Sequence, residues 1–193
     1  MSYVRPSLML VAGSLLLGGV AAAQAEPSVQ LSDVRSALAE GEHVGTLRSG
    51  ADCDTVADRG WSELMQQRVA SELPAVFRDE VSKAGGLLPV DGAPLRAQAV
   101  LSKLDYQVCQ AGAGTWRGSF AVQVGWELVS SGSGQVVYRA STEGVFTQSA
   151  AQRLPTAHAL REALAAATHR LVTDQRFAAA LQAAPTRVAL LAD

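Results

Sequence analysis

Three runs in the middle of the chain alternate apolar and polar side chains, and they limit the possible folds more than any other feature. In Val100 to Cys109 the residues Val100, Leu104, Tyr106 and Val108 are assigned to one face, with Lys103, Asp105 and Gln107 opposite. In Phe120 to Leu128 the apolar set is Phe120, Val122, Val124, Trp126 and Leu128, with Gln123 and Glu127 opposite. The third run continues with Val136, Tyr138, Ala140 and Thr142, backed by Arg139, Ser141 and Glu143. A period of two means strands with one buried face. Ser130-Ser131-Gly132-Ser133-Gly134 links the last two as a loose hairpin, and Gln110 to Gly118 links the first two. Sequential order and short links predict an antiparallel meander.

Helical periods flank this block. Trp61, Leu64, Met65, Val69, Leu73, Val76, Phe77 and Val81 recur every three or four residues, with Glu63, Gln67, Arg68, Glu72, Arg78 and Glu80 between them. That spacing predicts an amphipathic helix, kinked or divided at Pro74 and ended by Gly85-Gly86. Pro155-Thr156 opens a second helix with Leu160, Leu164, Ala167, Leu171 and Val172 on its apolar side, and Phe177 and Leu181 suggest a further short one. His43 to Arg48 reads as a strand, and Leu87 to Val90 as a short edge strand. Residues 28–40 carry no decisive period; Ser32 can cap a short helix with Val34 and Leu38 on one face, stopped by Gly41. The expected fold is α+β, a mostly antiparallel sheet of four to five strands with two principal helices packed on one face.

The N-terminus has its own grammar. Arg5 is the sole charged side chain before Glu26; Leu8 to Val20 is Leu, Met, Val, Ala and Gly with one Ser; and Ala23-Gln24-Ala25 precedes Glu26-Pro27. This is the pattern of a secretory signal peptide cut after Ala25. Its apolar run falls short of the ~20 residues that span a bilayer. The expected organisation is a signal peptide at 1–25, an N-terminal segment at 26–41, one α+β domain at 42–185 and a tail at 186–193, whose residues 188–191 either dock or bind a partner. No later run is long enough to cross a membrane, so the expected product is soluble, and periplasmic or secreted.

Export leads to a disulfide expectation for Cys53 and Cys109, the chain's two cysteines. There is no Cys-x-x-Cys redox motif. Asp52, Asp54 and Asp58 lack the glycine and closing glutamate of a calcium loop, and read as a solvated loop tied down by Cys53.

The search for catalytic and cofactor motifs returns nothing. The sequence has no nucleophile elbow, no phosphate loop and no His-Glu-x-x-His. His158 and His169 lie about three turns apart on one predicted helix, too far to share a metal ion. Sixteen basic residues against 18 acidic ones, and a pI of about 5.9, exclude a nucleic-acid binder that works by phosphate neutralisation. No catalytic, cofactor or metal residues are assigned.

The order of elements resembles a known group. A strand around Val44 to Arg48, a helix ending at Ala84-Gly85, a strand ending in Cys109, a hairpin with Gly134-Gln135-Val136-Val137-Tyr138 and a C-terminal helix are similar to the small α+β domain of TolB N-terminal, curli-secretion-lipoprotein and transport-auxiliary lipoprotein proteins. The corresponding stretches are Val69–Gly86 and Trp126–Thr142, within a likeness covering most of residues 42–182. The chain lacks the lipid-attachment cysteine of the lipoprotein members, which leaves a soluble or protein-tethered state. The resemblance implies an assembly, scaffolding or transport-accessory role, with an envelope or secreted protein partner or self-association. The expected function is therefore noncatalytic protein–protein interaction. The alternatives are a small-molecule or lipid-binding accessory protein, with a closed cavity lined by Trp61, Phe120 and Trp126, and a hydrolase built around His43 with a carboxylate and a serine.

Overall fold

The structure is a computed structural model that describes residues 28–84, 93–112, 115–153 and 155–183. The expected signal peptide at 1–25, the expected stop at Gly85-Gly86, the expected strand Leu87 to Val90 and the tail at 186–193 lie outside the described residues. The elements run β1 (Val29–Ser36), β2 (His43–Ser49), β3 (Thr55–Gly60), α1 (Glu63–Lys83), β4 (Leu95–Gly112), β5 (Thr115–Ser130), β6 (Val136–Arg153), α2 (Thr156–Val172) and α3 (Gln175–Gln182).

The alternating runs become the long antiparallel meander β4-β5-β6. On the other side of β4, β1 pairs in parallel with its first half and β2 in parallel with its second; β3 closes that edge antiparallel to β2. The α+β class and the helices on one face are as the periods predict; among the described residues the sheet has six strands where four to five are expected. The two-residue period does not announce β1 and β3.

Residues 28–40 are a correction. Within them Val29–Ser36 form a strand, not a helix, and this strand joins the sheet. A register shift between Leu31 and Asp33 breaks the alternation, so Leu31 and Val34, three residues apart, both pack against the core. The bulge thus hides the two-residue period that would mark a strand. Ser32 does not cap a helix: its hydroxyl donates to the Ala97 carbonyl of β4 at 3.2 Å.

A similar shift between Leu101 and Lys103 corrects the β4 faces. Leu95, Ala97, Ala99, Leu101, Leu104, Tyr106 and Val108 are buried, while Val100 turns to the other side and is half-buried. Asp58 lies not in a loop but in β3, where all six residues are exposed and no period could show.

Helix α1 runs undivided through Pro74. An interior proline costs about 3 kcal/mol; the burial of Leu73, Val76 and Phe77 on either side of it opposes that cost. Phe77 packs on Trp126 with ring centroids 6.0 Å apart, and the Trp126 indole N–H donates to the Thr142 hydroxyl at 2.7 Å. Trp61 and Trp126 are therefore core residues, each 2% exposed, and neither lines the groove described below.

Cys53 and Cys109 are joined as a disulfide across 56 positions, their Cα atoms 5.6 Å apart. Arg48, Cys109 and Arg117 are register partners across β2, β4 and β5. Val108 and Leu47, their neighbours, face the helices, so the disulfide lies on the opposite side of the sheet. It straps the β2–β3 loop over that side.

At the far end of α2, Asp174 caps α3 by accepting the Arg176 backbone N–H at 2.7 Å, and it also accepts from the Tyr138 hydroxyl at 3.0 Å. The Arg176 backbone contact, followed by the bond from Tyr138, holds the Asp174 carboxyl below its ordinary value. Burial, and then the Asp174 carboxylate, push the Tyr138 hydroxyl up to about 12. Because the unfolded chain gives up this proton near its ordinary value while the fold retains it, stability is expected to fall as pH rises from 10 towards 12. The Asp174 contribution has the opposite sign: it is lost as pH falls below 3.8 through the lowered value. Tyr138→Phe should cost about 1 kcal/mol at neutral pH and flatten the alkaline loss, as read from urea midpoints across pH.

Candidate binding groove

Helices α1 and α2 lie side by side in the same direction. Arg161 of α2 donates to Glu72 at 2.9 Å and to Asp79 at 2.7 Å, and His169, two turns further on, meets Glu80 at 3.2 Å. Lys83 completes the set on Glu80 at 2.7 Å. The Arg161 proton is held more tightly than usual, chiefly by the bond to Glu72, and that of Lys83 by the bond to Glu80. The carboxylates of α1 thus fix α2 beside it in a set register.

One consequence is that both helices begin at the same end of the sheet. There they leave an open groove of about 320 Å³. Its floor is Leu47 of β2, Leu104, Tyr106 and Val108 of β4, and Phe120 of β5; its walls are Leu64 and Met65 of α1 and Thr156, Ala157 and Leu160 of α2. Tyr106 and Phe120 are stacked, with centroids 5.1 Å apart and planes at 12°. Gly45 (φ 147°) allows β2 to lie close along β4 here, since a Cβ at that position would collide with the Tyr106 backbone. Burial raises the Tyr106 hydroxyl above its ordinary value, opposed by the nearby Arg59.

Among the described residues the groove has two charged lining residues, Arg59 on β3 and Arg68 on α1. Both are exposed, and the ion pairs of the described residues involve neither. None of the described lining residues is acidic. Neither helix has a side-chain cap at this end: Ser62 precedes α1 and Pro155 precedes α2 without a capping bond. Glu63, in the first turn of α1, does not line the groove and accepts from Gln67 at 3.2 Å. Leu64, read from the sequence as part of the core stripe, is 70% exposed at the groove mouth.

The sequence-level candidates are placed separately. His43 starts β2 beside Gly60, and its side chain has no hydrogen bond or ion pair among the described residues. His158 lies 3.8 Å from Glu162 and edge-on to Phe146. His169 belongs to the Glu80 cluster. Among the described residues, no three His, Cys, Asp or Glu side chains are grouped to hold a metal ion, and no helix is long and apolar enough to cross a membrane. The groove itself escapes sequence reading, because its lining comes from six separate elements.

No protein-family model and no curated protein matches the chain. Solved structures resemble it at low identity. A Xanthomonas campestris protein is 16% identical, covering 78% of this chain and 86% of its own, with a TM-score of 0.44. A candidate lipoprotein from Caulobacter crescentus is 14% identical, over 56% of this chain and 80% of its own, at 0.37. The PelC dodecamer protein from Paraburkholderia phytofirmans is 13% identical, over 72% and 87%, at 0.35.

Proposed function

We propose that the chain is an exported, noncatalytic envelope protein that acts by binding another protein along the open side of its sheet. The signal-peptide pattern and the cysteine pair support export. The observation that carries the interaction reading is the one-sided packing of the sheet. Among the described residues, helices cover a single face, and β6 ends the sheet with β5 as its one strand neighbour over an 18-residue strand. On the uncovered side of β6, Val137 and Val145 are bare, Val145 being 54% exposed. A terminal strand offers a row of backbone donors and acceptors that an added strand can satisfy. Arg139, paired to Glu127 at 2.8 Å, and Glu143 interrupt the apolar positions on that face. Such charges disfavour indiscriminate pairing and leave room for a complementary partner.

The test is a photo-crosslinking side chain at Val145 in the full chain, expressed in its own cells. The expected result is a defined heavier product, identified by mass spectrometry and absent when the same group replaces Arg78 on exposed α1. A homodimer would identify the partner as a second copy. No product from Val145, or the same products from both sites, would reject the reading.

A further inference from the structure

We infer that the groove between the N-terminal ends of α1 and α2 binds an anionic amphiphile, with an acyl chain on the apolar floor and a carboxylate between Arg59 and Arg68. At about 320 Å³ it sits at the lower end of small-ligand sites, which run roughly 300–1,000 Å³. The floor of Leu47, Leu104, Tyr106, Val108 and Phe120 is apolar apart from the Tyr106 hydroxyl, which suits a chain of methylene groups better than a polar metabolite. Each methylene buried there contributes roughly 0.8 kcal/mol. Leu64 stands exposed at the mouth, positioned to lose its water to such a chain.

Charge selects the head group. The two charged lining residues are both arginines, and neither is engaged in an ion pair of the described residues. Both helices direct their uncapped N-terminal ends here, and the positive end of each dipole favours an anion. A cationic or neutral amphiphile would gain the apolar contact without the electrostatic one. A peptide strand would place its row of amides over a floor whose side chains are Leu, Val and Phe with the single hydroxyl of Tyr106, which leaves most of them unsatisfied. The groove lies on the helix side of the sheet, away from the Val145 face, so it and the interaction proposed above succeed or fail independently.

The experiment is calorimetric titration of the purified, oxidised mature chain with dodecanoate below its micelle concentration, with dodecanol and dodecyltrimethylammonium as matched-chain controls. Dodecanoate is expected to bind one per chain, at least tenfold tighter than either control. The Arg59→Ala, Arg68→Ala double variant should weaken dodecanoate roughly tenfold and leave dodecanol unchanged. Both arginines are exposed, so the thermal midpoint of this variant should match the parent. Ala157→Trp, which fills the groove, should abolish binding of all three. In amide NMR spectra, shifts on adding dodecanoate should cluster at Leu64, Tyr106 and Ala157. No saturable binding of dodecanoate, equal affinity for the three probes, an unaffected double variant, or shifts centred on β6 would each overturn the inference.

Discussion

Gly144→Val is expected to destabilise the protein by about 3 kcal/mol, the upper part of the range for overpacking. Gly144 lies in β6 opposite Val122 of β5, on the face that meets α2. A Cβ there would run into the Ala163 carbonyl oxygen and the Ala167 backbone nitrogen. These are main-chain atoms of α2 and have no rotamer to move into, so the helix itself must lift. The helix reaches this depth through a small-residue face, Ala159, Ala163 and Ala167, all fully buried. Gly144→Ala should fall between valine and wild type. Gly132→Ala is the control: nothing lies within 4 Å of its added Cβ, and it should be neutral. Urea midpoints at constant slope read all three. A Gly144→Val variant as stable as the parent would mean that α2 is not seated on β6. A lifted α2 would also displace Thr156 and Ala157, so amphiphile binding should weaken with stability.

Removal of the disulfide should have an effect of similar size. Closing a loop over 56 positions stabilises the fold by about 4 kcal/mol on the chain-entropy account. Cys53 is held at φ 60°, a left-handed conformation that costs a non-glycine residue roughly 1–2 kcal/mol. Cleavage relaxes that cost, so the net loss expected for the Cys53→Ser, Cys109→Ser double variant is about 3 kcal/mol. The loop of residues 50–54 should then leave the sheet, losing the 3.8 Å contact between Arg117 and the Cys53 sulfur and the bond from the Cys53 N–H to the Gly50 carbonyl. Intact mass should rise by a pair of hydrogen atoms when the purified parent is reduced, and its thermal midpoint should fall to that of the double variant. An unchanged mass would show that the purified chain carries free thiols, and an unchanged midpoint that the strap adds no stability.

The legible parts of the fold share a physical cause. The runs that became β5 and α2 are long, amphipathic and regular, so each position reports its own burial through its neighbours two or four residues away. Phe120, Val122, Val124, Trp126 and Leu128 face the core as the period requires, as do Leu160, Leu164 and Leu171. Where the register shifts, the signal fails: the shift between Leu31 and Asp33 hides the period of β1, and Val100 is assigned to the wrong face. Where both faces are wet, as in β3, there is no signal at all.

The sequence by itself determined the meander, the helices that flank it, the α+β class and the cysteine pair that could be joined, because these follow from local periodicity and composition. Only the tertiary structure decided that β1 and β2 both run parallel to β4, that Leu64 stands bare while Trp61 and Trp126 are core, and that Arg59 and Arg68 share one apolar groove. Those outcomes depend on pairings between residues far apart in the chain, and on the direction in which two helices are clamped by Arg161 and Glu80. No window of a few residues carries that information, since it is set by which distant surfaces fit each other.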